Sequence, residues 1–180
     1  MSNHIHTNRW FIGALASVMG FFVGQAVSLY TFNETQQATK KVEEVRLSRD
    51  LYSEFYFERE IYKKIRQSIE SCEPLYKSWG GKYSHDEINQ YLGFFSDLGF
   101  LSKKGFLRED VLAHFFGAYT IEAFENKEIK KYISLLRDNF SQPKAFENFE
   151  YISKVFEKMK EFSALTNTAR HMCEARGDKS

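Results

Sequence analysis

An uncharged run from Trp10 to Phe32 opens the chain, and beyond Lys40 apolar residues recur at the three- and four-residue spacing of amphipathic helices. As a helix the first run is about 34 Å long at 1.5 Å per residue, and it exceeds the roughly 20 residues that a bilayer core requires. Trp10 and Tyr30 lie near its ends, where amphipathic rings favour the membrane interface. The pattern predicts a transmembrane helix over residues 10–32 behind a short tail, residues 1–9. A cleaved signal peptide is the rival reading, with Arg9 as its basic start and Gly24-Gln25-Ala26 as its cleavage site. The uncharged run outlasts a typical signal core, which favours a retained anchor. Within it Ala16, Gly20, Gly24 and Ser28 recur every fourth residue, with Gln25 beside them. Such a stripe lets helix backbones approach closely in lipid, and Gln25 is placed to hydrogen-bond across to a neighbour, so self-association is expected. Small residues are also simply common in membrane helices.

Residues 33–165 read as a compact bundle of about five helices, followed by a loose tail, residues 166–180. The first helix is expected over about residues 40–71, with Leu51, Phe55, Tyr62, Ile65 and Ile69 turned inward. Its other face mixes both signs of charge, from Glu43 and Glu44 through Arg59, Lys63, Lys64 and Arg66, and reads as solvated. Pro74 ends this helix and starts a loop that reaches Tyr83. Ser84 and Glu87 form a capping box for a second helix, which carries Ile88, Tyr91, Leu92, Phe95 and Leu98 to Gly99. A turn at Lys103-Lys104-Gly105 leads to a third helix, with Val111, Leu112, Phe115, Phe116 and Tyr119. A fourth is expected over about residues 127–140, and a fifth from Phe146 to about Leu165 after the break at Ser141-Gln142-Pro143. No strand pattern and no repeat appears, so the fold class is all-α.

Charge sharpens the functional range. Lysine and arginine number 25 and acidic residues 24. Arg9 alone precedes Glu34, so the remainder holds 25 − 1 = 24 basic against 24 acidic residues, a net charge of zero. A balanced domain has no global field for a polyanion, which argues against general DNA or RNA binding. Lys40, Lys41, Arg46 and Arg49 follow the predicted span and Arg9 alone precedes it. The positive-inside rule then puts the C-terminal domain in the cytoplasm. Cys72 and Cys173 have no metal or redox spacing; they fit a reducing compartment and leave one disulfide open.

Tyr91-Leu92-Gly93-Phe94-Phe95, Gly99, Lys104-Gly105, Val111 and Phe116, followed by Tyr132-Ile133, Arg137 and Phe149-Glu150, resemble an uncharacterised bacterial family. Its members pair a membrane helix with a small all-helical domain. The resemblance covers residues 88–155, mainly packing and turn positions. It implies the fold and brings no known activity.

No nucleophile elbow, phosphate loop or paired-carboxylate pattern is present, so no catalytic residue and no cofactor is expected. A calcium loop over Asp97–Arg108 fails because Gly99, Leu101 and Arg108 stand where acidic ligands are required. His4, His6, His85, His114 and His171 form no metal spacing; His114 reads as packed among Phe115 and Phe116. Basic residues beside aromatics remain as ligand candidates: Trp79, Lys82 and Tyr83 in the loop, Lys103, Lys104 and Arg108 at the turn, and Lys130, Lys131 and Arg137 on the fourth helix. Rings stack on bases while Lys and Arg bind phosphate, which suits a small nucleotide held between subunits. Lysines at helix ends are equally what the helix dipole favours. The expected function is a membrane-anchored sensor or effector that self-associates and couples ligand or partner binding to its span. Nucleotide-activated antiviral membrane effectors share this outline, by analogy of architecture. A passive anchor or scaffold for a protein partner is the alternative, and an enzyme without a recognisable motif the third reading.

Overall fold

The computed structural model describes Ser28, residues 31–162, residues 164–165 and Thr168. The chain divides into two compact units, Met1–Glu43 and Glu44–Ser180. In the first, residues 31–43 are helical and exposed. Thr35 and Thr39 each donate a side-chain hydrogen bond to the carbonyl four residues earlier, at 2.8 and 2.9 Å. Among the described residues no helix is long and apolar enough to cross a membrane. The predicted span lies outside them except for Ser28, Thr31 and Phe32, and so do Ala16, Gly20, Gly24 and Gln25.

The second unit is all-α. Helix α1, residues 31–53, ends in it and passes into a π turn, Glu54–Glu58. The remaining helices are α2 (Glu60–Glu70), α3 (His85–Lys103), α4 (Glu109–Glu125), α5 (Lys127–Asn139) and α6 (Glu147–Glu157). The single long helix expected over residues 40–71 is therefore two helices. Arg59 is extended (φ −96°, ψ 92°) between them, and its guanidinium is held by the Glu54 carboxylate. No glycine or proline marks this break. It coincides with a run of ring contacts, Tyr52 stacked on Tyr56 at 5.4 Å and Tyr56 edge-on to Phe57 at 4.9 Å. The second helix runs past Gly99 to Lys103. The last one stops at Glu157, short of Leu165, where a 3₁₀ turn, Lys160–Phe162, lays Phe162 against Gly117 and beside Phe156.

The expected caps are in place. Ser84 Oγ accepts from Glu87 N–H while the Glu87 carboxylate accepts from Ser84 N–H at 2.7 Å. Asn126 caps α5 by accepting from the N–H groups of Glu128 and Ile129. Between α2 and α3 a compact loop pairs Tyr76 with Tyr83. The Glu128 carboxylate anchors that loop by accepting from Leu75 and Tyr76 N–H, at 2.9 and 2.7 Å.

The core is aromatic. Phe55, Phe95, Phe116, Phe149 and Phe156 are fully buried. Phe95 of α3 stacks on Phe149 of α6 at 5.2 Å. These helices meet closely at Gly99, where an added Cβ would lie 2.0 Å from the backbone oxygen of Asn148. Cys72 adopts a left-handed φ of 58° and is disulfide-bonded; the only other cysteine in the chain, Cys173, lies outside the described residues.

Candidate functional site

The π turn feeds Phe55 into the core and leaves Phe57 71% exposed beside it. Phe55 packs against Tyr62 of α2, Tyr91, Phe94 and Phe95 of α3, and Phe116 and Tyr119 of α4, with centroids 4.7–6.1 Å apart. The π turn is a rare element and recurs at functional sites. Here it borders the one strongly buried arginine among the described residues, Arg66, which is 7% exposed.

Arg66 does not lie on the solvated face expected from its charge. It lies instead on the buried stripe, with Tyr62, Ile65 and Ile69. Its guanidinium carbon sits 4.3 Å from the Tyr56 ring centroid and 5.0 Å from those of Phe55 and Tyr119. Rings placed this way attract a cation through their quadrupoles. The Arg66 Nε is buried without a hydrogen-bond partner. The charge of Arg66 is felt by Glu122 on α4. Burial first, and then the neighbouring charge of Glu70, raises the Glu122 carboxyl above its usual range, while Arg66 pulls it the other way.

Two clefts flank this cluster. The smaller, about 360 Å³, lies against α2 and is lined by Tyr56, Phe57, Lys63, Arg66, Gln67 and Tyr119, with Glu60 and Glu70. The larger, about 730 Å³, runs along α4 past Tyr52, His114 and Phe162. Tyr119 belongs to both walls. Burial and a hydrogen bond with Tyr52 push its hydroxyl up to about 12. His114 is not packed as expected: it is exposed in the larger cleft, edge-on to Phe115 at 4.9 Å.

The ligand candidates read from the sequence lie at separate places, most with a partner of their own. Lys131 Nζ lies 4.2 Å over the Trp79 ring, joining loop to α5. Lys82 pairs with Glu73 at 2.7 Å, and the Tyr83 hydroxyl shares a buried hydrogen bond with Ser68. Lys103 donates to Asn148 Oδ1 and lies over Tyr151. Lys104 lies 5.7 Å from the Phe100 ring. Arg108 pairs with Glu44 at 3.1 Å, and Lys130 with the buried Glu125 at 2.8 Å. Arg137 donates to the Ala145 carbonyl and to Glu150. His85, at the start of α3, is tied to the Tyr132 hydroxyl through Nδ1 at 2.7 Å and to Asn89 through Nε2. No cluster of potential metal ligands occurs among the described residues.

A family model, a domain of unknown function (DUF4760), matches residues 18–155, more than half of the chain, and the chain belongs to that family. The segment 88–155 that carried the sequence resemblance lies inside this match. No curated protein and no solved structure matches the chain.

Proposed function

We propose that this member of the DUF4760 family is a single-pass protein of a bacterial inner membrane, in which a helical domain senses a ligand or partner and passes its state to a self-associating span. The extent of the family match carries this reading. It begins at residue 18, inside the uncharged run Trp10–Phe32, and continues into the bundle. A leader cleaved after Ala26 would cut within the family's own domain, which favours a retained helix over a signal peptide. From Gln25 to Glu73 no glycine or proline interrupts the sequence, although the helix breaks at the extended Arg59 before it reaches Arg66. A ligand that binds one arrangement of associated copies better than another would shift that arrangement, and the spans with it. An antiviral effector role belongs to the same class of mechanism and rests on architecture alone.

The basic residues after the run support a cytoplasmic domain. A disulfide at Cys72 that persists in cells would place the domain on the opposite, oxidising side. Labelling of cysteines in intact spheroplasts, before and after reduction, decides between the two orientations. The reading as a whole is tested in membranes. Wild type is expected in the pellet after a carbonate wash, with its original N-terminus, and crosslinked into oligomers. Replacing Gly20 and Gly24 together by Ile should leave insertion intact and weaken crosslinking. A mature N-terminus near Val27 overturns the anchor, and undiminished crosslinking of the double variant removes the small-residue stripe as the interface.

A further inference from the structure

We propose that the cleft between the π turn and α2 binds a small oxyanion carried on a planar ring, with Arg66 as its principal contact. Arg66 offers five N–H donors in the plane of its guanidinium, and its Nε is buried without a hydrogen-bond partner. Taking such an ion out of water is costly unless acceptors replace the lost hydration. The rings of Phe55, Tyr56 and Tyr119 attract the cation but accept no fork of in-plane hydrogen bonds. A carboxylate or phosphate does, and its two oxygens match the guanidinium edge.

The cleft supplies the rest of the recognition. Its volume of about 360 Å³ falls at the lower end of small-molecule sites, enough for one ring system and its anionic group. Lys63 stands one helical turn before Arg66 and adds a second cation, and Gln67 adds an amide. Phe57 presents an exposed ring in the cleft wall beside Tyr56, a surface on which a planar group can stack. Glu60 and Glu70 line the same cleft and repel excess negative charge. The site is thus suited to one phosphate or carboxylate and selects against a polyphosphate.

This inference deepens the sensor reading by naming its ligand class, yet it stands or falls separately. Full-length protein in a neutral detergent is titrated calorimetrically with AMP, adenosine, ATP, inorganic phosphate and benzoate. AMP is expected to bind at about millimolar affinity or tighter, with adenosine and ATP at least tenfold weaker, since charge-assisted pairing carries the affinity. Benzoate binding in place of AMP identifies a carboxylate as the anion and supports the site equally. Arg66→Met should abolish binding, while Arg66→Lys, which loses the fork, should weaken it about tenfold. Phe57→Ala, at an exposed position, should weaken it without altering the melting curve and so guards against misfolding as the cause. The proposal is overturned if neither AMP nor benzoate binds, or if Arg66→Met binds as wild type does. Binding that leaves the crosslinking of the spans unchanged would keep the site and refute its coupling to the membrane.

Discussion

Arg66→Met separates a residue kept for packing from one kept for binding. The wild-type guanidinium has three ring contacts, at 4.3, 5.0 and 5.0 Å, each contributing about 0.5–2 kcal/mol. Against them stands a desolvation penalty of several kcal/mol for a buried ion, with no hydrogen bond at its Nε to offset it. Methionine retains most of the stem, and its sulfur gains about 0.3–1.5 kcal/mol per ring contact. Relief of that penalty and the methionine contacts together offset the lost ring contacts, so the variant is expected to fall no more than about 1.5 kcal/mol, or about 6 °C in Tm, below wild type. A buried charge embedded in a working network behaves differently, because removing one partner costs about 3–5 kcal/mol. The assay is thermal and urea unfolding of the full chain in detergent, followed by circular dichroism at 222 nm. A destabilisation above about 3 kcal/mol would refute the reasoning and mark Arg66 as a structural keystone. Near-neutral stability combined with lost ligand binding is the expected pair of results.

Two further substitutions test other parts of the structure. Gly99→Ala would gain about 0.5–1 kcal/mol of helix propensity in an open helix. Here its methyl meets the Asn148 backbone oxygen at 2.0 Å, so a net loss of about 1–3 kcal/mol is expected on unfolding, and a gain would refute the close packing of α3 on α6. Glu122→Gln tests the buried carboxyl. Because the folded value is raised, stability present below the unfolded pKa is lost as pH rises through the folded one. The variant should therefore exceed wild type in Tm at pH 7 and converge with it below the usual glutamate range, about pH 4; a deficit at pH 7 would refute this sign.

Much of the bundle could be read from the chain because local signals agreed with tertiary packing. The Ser84–Glu87 capping box and the apolar period of Ile129, Tyr132, Ile133 and Leu136 both stand where they were expected. The π turn could not be read. Glu54–Glu58 contains no breaker, and the distortion accompanies ring packing among Tyr52, Tyr56 and Phe57 that no periodicity records. The end of α6 was equally silent, since Phe162 turns back to fill the space over Gly117, a partner far away in sequence.

Arg66 was legible by position and hidden by type. It stands four residues after Tyr62 and three before Ile69, which places it on the apolar stripe of its helix by spacing alone. Its charge nevertheless grouped it with Lys63 and Lys64, whose side chains are exposed. The basic candidates chosen for their type and their aromatic neighbours fared differently. Lys82, Lys103, Arg108, Lys130, Lys131 and Arg137 each meet a carboxylate, an amide, a carbonyl or a ring within the chain. A cation on a solvated face finds such partners at little cost, so its presence carries small information. A cation on a buried stripe is costly unless something compensates it. At Arg66 the packing supplies rings and leaves the buried Nε without an acceptor, and that orphaned donor is what suits the cleft to an anion.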